Sequence, residues 1–321
     1  MRAMQYRHFG GPDQIVIAEL PIPRPTTTQL LVKVEGSSVN PVDWKLRRTQ
    51  GLLYRPVPFP SIPGADISGK VVEVGSEVTR FKPGDHLFAM ASVRFGATSA
   101  EYAVVEEQAA AQAPANLLLS EAAALPLAGL TALQSLRDLG SIAASQHVLI
   151  VGAAGGVGHF AVQIAKSYGA HVTAVCSGKH AELVRGLGAD AVIDYTQCKD
   201  LTGKRPYDLV LDLIVRAPLR DFFSVMATTG VVVSILPTFG RVCAALLLPF
   251  VSRRRVRLTM VKARAADLDQ LRVLCEAGKL RPVIDRTFAL AELAAAHAYS
   301  QQGHASGKIV ISVENEQNPE W

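Results

Sequence analysis

Short apolar runs alternate with turn-forming residues over the first third of the chain. Ile15–Leu20, Leu30–Val34, Lys70–Val74, His86–Met90 and Glu101–Val105 each read as a strand. Phe9-Gly10-Gly11-Pro12 and Lys82-Pro83-Gly84-Asp85 supply turn chemistry between them. Strands this short and this closely spaced predict a compact, barrel-like β domain. Pro21, Pro23, Pro25, Pro56, Pro58, Pro60 and Pro63 cannot donate to a central ladder, so their stretches are predicted loops. The pattern changes near Ser120. The alanine-rich run from Ser120 to Leu139 predicts one helix, capped by Ser120 and stopped by Gly140. Strands and helices then alternate: His147–Val151 strand, Val157–Tyr168 helix, His171–Cys176 strand, Lys179–Leu187 helix, Ala191–Asp194, Asp208–Leu213 and Gly230–Ile235 strands. Strands that are apolar throughout, set between helices, predict a parallel sheet covered on both faces. The C-terminal part adds one helix, Asp267–Ala277, and a last strand, Lys308–Val313.

Composition narrows the class. The 321 residues suit two domains at about 150 residues each. Hydrophobic residues make up 49% and charged residues 19%, which excludes a disordered chain. The longest apolar run, Val242–Val251, is ten residues long and contains Pro249; a membrane span needs about 20. The first residues, Met1 to His8, lack the apolar stretch of a signal peptide, so the cytoplasm is the expected location. The net charge of +5 owes part of its excess to Arg253-Arg254-Arg255-Val256-Arg257. No aromatic residues are interleaved there for stacking, so a solvated helix end followed by a strand is expected, with no nucleic-acid partner. Cys176, Cys198, Cys243 and Cys275 form no C-x-x-C pair, and the eight histidines form no spaced set, so no metal site is expected. His8, His147 and His297 read as packing or surface residues, and Cys176 as a buried strand residue.

The motif that carries most chemistry is Val151-Gly152-Ala153-Ala154-Gly155-Gly156-Val157-Gly158. It follows an apolar strand and opens a helix, the setting a dinucleotide fingerprint requires. Gly155 admits a pyrophosphate to the backbone, Gly158 lets the helix approach the strand, and free N–H groups with the helix dipole hold the phosphates. Ala153 stands where the simple pattern has its first glycine. An NAD site places an acid after the second strand for the ribose 2′-hydroxyl. Here Ser177-Gly178-Lys179-His180 follows, with no acid before Glu182. A hydroxyl and a cation suit a 2′-phosphate, so NADPH is the expected cofactor.

Further segments join this turn: Ser38-Val39-Asn40-Pro41-Val42-Asp43-Trp44-Lys45, Ile62-Pro63-Gly64-Ala65-Asp66-Ile67-Ser68-Gly69, Phe81-Lys82-Pro83-Gly84-Asp85, Ala100-Glu101-Tyr102-Ala103, Leu125-Pro126-Leu127-Ala128-Gly129-Leu130-Thr131-Ala132 and Gly307-Lys308-Ile309-Val310. Their order resembles the medium-chain dehydrogenase/reductase superfamily, and more closely its zinc-free quinone oxidoreductase and alkenal/enone reductase branch. The resemblance covers nearly the whole chain. It implies an α/β protein with a groES-like β-barrel substrate domain (1–122 and 265–321), a doubly wound parallel-sheet Rossmann domain (123–264), and an active site in the cleft between them. It also implies NADPH-dependent reduction of quinones or α,β-unsaturated carbonyls, and a homodimer. Zinc members carry a cysteine near the start of the Asn40–Lys45 stretch and a Gly-His-Glu where this chain has Gly64-Ala65-Asp66. Without a Lewis acid, alcohol dehydrogenation is disfavoured.

Hydride transfer to an enone leaves negative charge on the carbonyl oxygen, which needs a donor and then a proton at the α-carbon. By the resemblance, Lys45 donates to that oxygen, or is a surface lysine of a short helix. Asn40 places its amide near the nicotinamide or the substrate. Asp43 holds Lys45 or Arg47, or serves as a helix-start carboxylate. Tyr54 stacks on a quinone or supplies a proton, or packs beside Pro56 and Pro58. Thr131 approaches the nicotinamide, Tyr195 lies by the adenosine phosphate, and Leu236 borders the nicotinamide. Lys308 reaches the cofactor or closes its domain. Phe239–Leu258 departs from the Rossmann alternation and caps the cleft, buries a dimer contact or lies on a membrane surface. The alternative to an enzyme is an NADPH-binding redox sensor or scaffold with little turnover.

Overall fold

The computed structural model describes residues 1–48, 58–92, 96–198 and 200–313. The chain forms two compact units, Met1–Leu127 with Ala263–Gly278 and Pro282–Trp321, and Ala128–Lys262 with Lys279–Arg281. Among the described residues no helix is long and apolar enough to cross a membrane.

The chain enters the first unit through an antiparallel pair, β1 (Arg2–Gln5) and β2 (Val16–Glu19). Then come β3 (Gln29–Val39), α1 (Pro41–Arg48), β4 (Asp66–Val74), β5 (His86–Met90), β6 (Tyr102–Glu106), β7 (Ala110–Gln112) and α2 (Leu119–Ala122). It passes into the second unit within α3 (Pro126–Gln134). There it forms β8 (His147–Val151), α4 (Gly158–Ser167), β9 (His171–Cys176), α5 (Ala181–Gly186), β10 (Ala191–Asp194), β11 (Tyr207–Asp212), α6 (Leu219–Val225), β12 (Met226–Ser234), α7 (Phe239–Val251) and β13 (Arg255–Leu258). The return adds α8 (Ala265–Glu276), β14 (Ile284–Ala289), α9 (Leu293–Gln301) and β15 (Lys308–Ser312) to the first unit.

In the first unit the sheet order is β14-β15-β3-β4-β5-β7. The 11-residue β3 is its spine. One edge of β3 pairs with β4 along most of its length. The other edge is shared between β6, near Gln29–Lys33, and β15, near Gly36–Val39. Leu30, Val32, Ile67, Leu87, Ile309 and Ile311 bury their side chains in the core this sheet encloses. Chain-terminal β15 is therefore part of the core and not an appendage.

In the second unit every neighbouring pair of strands is parallel, in the order β10-β9-β8-β11-β12-β13. Counted along the chain this is third, second, first, fourth, fifth, sixth, the doubly wound dinucleotide-binding order, whose crevice lies beyond the carboxyl ends of the first and fourth strands. Leu149, Val210 and Val232, one from each central strand, pack with Phe222 and Tyr207 in its core.

Several expected elements change on inspection. The single helix over Ser120–Leu139 is three pieces: α2, α3 and a π-helical turn over Ser135–Leu139. Pro126 lacks an N–H and disfavours helical geometry at Leu125, which separates the first two. Gly140 still ends the segment, its N–H donating to Ser135 O at 2.8 Å. Ser120 lies inside α2, and Leu118 occupies the cap position. The C-terminal part holds a second helix, α9, whose sequence Leu-Ala-Ala-Ala-His-Ala-Tyr-Ser-Gln has one large aliphatic residue and so little visible periodicity. Strand β12 begins at Met226, four residues before the expected start, because Thr228 and Thr229 interrupt its apolar run.

Candidate active-site and cofactor-binding residues

In the first unit, β3 ends in Ser38-Val39-Asn40 and Pro41 opens α1, where its fixed φ and missing N–H suit the first helical position. Asn40 is buried, and its amide is used at both ends. Nδ2 donates to Asp66 Oδ2 at 2.7 Å and Oδ1 accepts from Lys308 Nζ at 2.6 Å. Lys308 Nζ also lies 3.1 Å from Asp66 Oδ2. Ser38 Oγ donates to the same carboxylate, and the Leu127 N–H donates to its other oxygen at 2.7 Å. Register brings them together: Ser38 faces Asp66 across β3 and β4, and Val39 faces Ile309 across β3 and β15. A buried ion pair survives when further hydrogen bonds satisfy its remaining atoms, and here three donors besides Lys308 converge on one carboxylate. Lys308 thus closes its domain, the second of its two expected roles. The Asn40 amide, expected to face the nicotinamide or the substrate, has its polar atoms committed inside the unit. In the sequence Asp66 stands out only as the residue where zinc members carry the glutamate of Gly-His-Glu, and no role is expected of it there.

Asp43 takes the helix-start role. Its Oδ2 accepts the Asn40 N–H at 2.7 Å. It holds neither Lys45 nor Arg47, which corrects that expectation: the buried Arg47 donates Nη1 to Gly10 O, and its Nε and Nη2 have no partner among the described residues. Lys45, two residues along, lies on another face of the helix, and Arg47, four along, is turned to Gly10 O instead. Asp43 Oδ1 is buried and has no hydrogen-bond partner among the described residues. Beside Asp43 is a cavity of about 10 Å³, lined also by Tyr6, Leu46, Ser61, Pro63 and Gly96. Desolvation pushes the Asp43 carboxyl up to about 7, against the Asn40 hydrogen bond that favours its charge; Asp66 raises it further and Lys308 opposes.

This shift has a sign. Native Asp43 holds its proton more tightly than the unfolded chain, whose value is about 3.9. Its contribution to stability is full below that value and is lost as pH rises through about 7. Asp43→Asn is expected to remove that loss. Between pH 5 and pH 8 the parent should lose about 2.5 kcal/mol more unfolding free energy than the variant. Urea unfolding of both proteins at the two pH values checks this, and parallel profiles would refute it. His297, pushed down to about 3 by burial and by Arg47, works in the opposite direction, but equally in both proteins.

Lys45 is half-buried, its ammonium 5.6 Å from the Trp44 ring centre. Burial lowers its pKa. Among the described residues it makes no hydrogen bond or ion pair, so its donors remain available. Tyr54 lies outside the described residues.

In the second unit, β8 runs into the glycine turn and the turn into α4. Gly152 has φ +88°, a region that favours glycine. At Gly158 a Cβ would stand 2.1 Å from Gly152 O and 2.7 Å from the Ala153 backbone, so only glycine permits this closeness of helix and strand. At Gly155 the nearest atom to a Cβ is Gly152 O at 3.4 Å, which leaves the turn open on that side. Gly152 and Ala153 donate their N–H groups to Val175 O at 3.0 and 3.1 Å. Ala153 is therefore a structural member of the turn and its N–H is spent. The N–H groups of Ala154, Gly156, Val157 and Gly158 have no acceptor among the described residues. Four donors at the start of a ten-residue helix are what a pyrophosphate needs, so this unit fits a dinucleotide.

Ser177 and Tyr195 come together through register. Cys176 pairs with Asp194 across β9 and β10, and each residue follows its strand's last pair. The Tyr195 N–H donates to Cys176 O at 3.2 Å. Ser177 is half-buried, while Lys179 and Tyr195 are exposed. An acid missed in the sequence sits beside them: Asp194, whose carboxylate accepts from Thr196 N at 2.9 Å and Thr196 Oγ1 at 2.7 Å. Those bonds, and one from Gly178, hold it below the usual carboxylate range. It lies one strand further along than the acid a nicotinamide fingerprint search inspects. Burial raises the Cys176 thiol, which suits the inert strand residue expected. Thr131 is buried in α3 and Leu236 is half-buried after β12. At the end of β11, buried Asp212 accepts from Val215 N at 2.9 Å and pairs with Arg241 of α7.

A zinc ion does not fit at Gly64-Ala65-Asp66. Ala65 offers no donor atom, and both oxygens of Asp66 already accept hydrogen bonds. Among the described residues no group of three or more His, Cys, Asp or Glu is placed to hold a metal.

Two family models match the chain, the alcohol dehydrogenase GroES-like domain over residues 26–115 and the zinc-binding dehydrogenase model over residues 187–311. A chloroplast envelope quinone oxidoreductase homolog of Arabidopsis thaliana is 37% identical over 97% of this chain and 98% of its own. The NADPH-dependent alkenal/one oxidoreductase of Arabidopsis thaliana chloroplasts is 36% identical over 97% of this chain and 79% of its own. Among solved structures, the quinone oxidoreductase of Coxiella burnetii superposes with a TM-score of 0.88 at 33% identity, covering 98% of this chain and 99% of that one.

Proposed function

Since the chain belongs to the medium-chain dehydrogenase/reductase superfamily, in its quinone oxidoreductase branch, we propose that it is an NADPH-dependent, zinc-independent reductase of quinones or α,β-unsaturated carbonyls. The observation that carries this reading is Lys45, a partly desolvated ammonium with no hydrogen-bond or ion-pair partner among the described residues, in a unit where Lys308 is spent on its pair with Asp66. Its Nζ donates to the substrate carbonyl oxygen and stabilises the negative charge that grows there. A lowered pKa makes that proton easier to give. Reduced nicotinamide, when bound, supplies the hydride. The turn N–H groups hold the pyrophosphate, and Ser177, Lys179 and Tyr195 hold a 2′-phosphate. Thr131 and Leu236 are proposed neighbours of the nicotinamide. The proposed form is a homodimer and the proposed compartment the cytoplasm.

Oxidation of NADPH and NADH followed at 340 nm tests the reaction against a short enal, a ring enone, a benzoquinone, a long-chain enoyl thioester and, in reverse, a simple alcohol. Turnover of an enone or quinone with NADPH is expected. Silence across the panel with NADPH still bound would favour a redox sensor or scaffold. Removing the 2′-phosphate cation by Lys179→Ala is expected to raise KM for NADPH about tenfold or more, since a hydrogen bond to a charged group contributes about 1.5–3 kcal/mol. KM for NADH should stay the same. Equal changes for both cofactors would remove Lys179 from the phosphate site.

A further inference from the structure

The second unit has an acid where its second strand ends, although no acid follows that strand in sequence before Glu182. Register brings it from the neighbouring strand. Asp194 closes β10 opposite Cys176, the last residue of β9. Ser177-Gly178-Lys179 leaves β9 from that point, and the Asp194 carboxylate lies against this turn. A Cβ at Gly178 would collide with Asp194 Oδ2, so glycine there leaves room for the carboxylate. Thr196 fixes Oδ1 through its N–H at 2.9 Å and its hydroxyl at 2.7 Å. Oδ2 is the oxygen set toward the Gly178 backbone.

Both charges of this turn are unspent. Among the described residues neither Asp194 nor Lys179 forms an ion pair. Glu182, by contrast, is turned to Arg185 at 2.6 Å. The bonds from Thr196 and Gly178 hold the Asp194 carboxyl below the usual carboxylate range, so it is ionised at neutral pH. In a doubly wound sheet the adenosine ribose lies just past the second strand, and an acid there accepts from its 2′-hydroxyl. A 2′-phosphate instead brings a charge of about −1.5 to −2 at pH 7. A carboxylate that accepts from the hydroxyl repels that phosphate, whereas Lys179 attracts it.

We propose that Asp194 sets the cofactor choice of this unit, accepting from the ribose 2′-hydroxyl of NADH and opposing the 2′-phosphate of NADPH. The chain then takes both cofactors. Lys179 tilts the balance toward NADPH, and Asp194 keeps the margin small. The inference rests on the dinucleotide reading of the glycine turn and on the place given to Lys179 above. It adds that the acid comes from the third strand of the sheet and not from the second.

Fluorescence titration of the full chain with NADPH and with NADH tests it. Asp194→Asn keeps an acceptor for Thr196 but loses the charge. At low salt it should bind NADPH about tenfold more tightly than the parent, the effect of removing one charge about 6 Å across water from a nearly divalent phosphate. It should bind NADH no more tightly than the parent. At about 1 M salt the gain for NADPH should fall below about twofold, because the screening length shrinks to about 3 Å. Asp194→Glu retains the charge and should keep NADPH affinity near the parent's. A parent that binds neither cofactor overturns the dinucleotide reading, and this proposal with it. A parent that binds both, with the same ratio of affinities in Asp194→Asn, overturns the proposal alone. So does a parent with no measurable affinity for NADH. Equal weakening of both cofactors in Asp194→Asn, unmoved by salt, overturns it too and leaves Asp194 a brace of the turn.

Discussion

Gly158→Val is expected to destroy cofactor binding, and with it much of the second unit's stability. The new Cβ would lie 2.1 Å from Gly152 O, and backbone on both sides of that contact cannot yield as a side chain tip can. Overpacking of this kind costs about 1–3 kcal/mol or more, and NADPH affinity should fall at least about 100-fold as the turn is forced open. Gly155→Ala separates cradle from scaffold. Its Cβ meets nothing closer than 3.4 Å, so the variant should unfold within about 1 kcal/mol of the parent. It should nevertheless bind NADPH about tenfold more weakly, because the methyl group stands where phosphate oxygens approach the backbone. Fluorescence titration with NADPH alongside thermal unfolding reads both effects. A Gly155→Ala protein that binds NADPH like the parent would show that the turn does not cradle the pyrophosphate.

The second large effect falls on turnover. Lys45→Met keeps the length of the side chain and its packing on Trp44, but removes the donor. Loss of one oxyanion donor costs about 100- to 1,000-fold in kcat, and that is the expected fall with an enone or quinone. NADPH dissociation should change less than about twofold, because cofactor contacts are proposed only for other residues. Stopped-flow single turnovers separate the hydride step from product release. Parent-like hydride transfer in Lys45→Met would remove Lys45 from the chemistry. A fall in NADPH affinity equal to the fall in rate would instead mark it as a binding residue.

The second unit was the more legible half. Strands His147–Val151, His171–Cys176 and Ala191–Asp194 occur with the bounds their apolar runs predict. Buried parallel strands are short and continuous in hydrophobicity, and glycine marks where backbones must approach. The glycine turn was readable because its chemistry is local, a few consecutive residues acting through their own N–H groups. Where the chain broke the local rule, reading failed for a local reason. Pro126 split a helix that alanine content had joined, and Thr228 and Thr229 hid the start of β12.

The first unit's polar centre is the opposite case. Lys308 and Asp66 stand 242 residues apart in sequence, and nothing near either predicts the other. Their meeting needs β15 to return antiparallel beside β3, and β3 to pair with β4 in a register that sets Ser38 against Asp66. The same dependence decided Asp43, whose carboxylate turned to its own helix start and not to Lys45 or Arg47. By itself the sequence determined three strands of the second unit and the glycine turn, because hydrophobic period and glycine placement act over a few residues, and its motifs carried the resemblance to the family. Tertiary structure decided which charges are spent on holding the fold and which stay available, because long-range register and burial alone choose a side chain's partners.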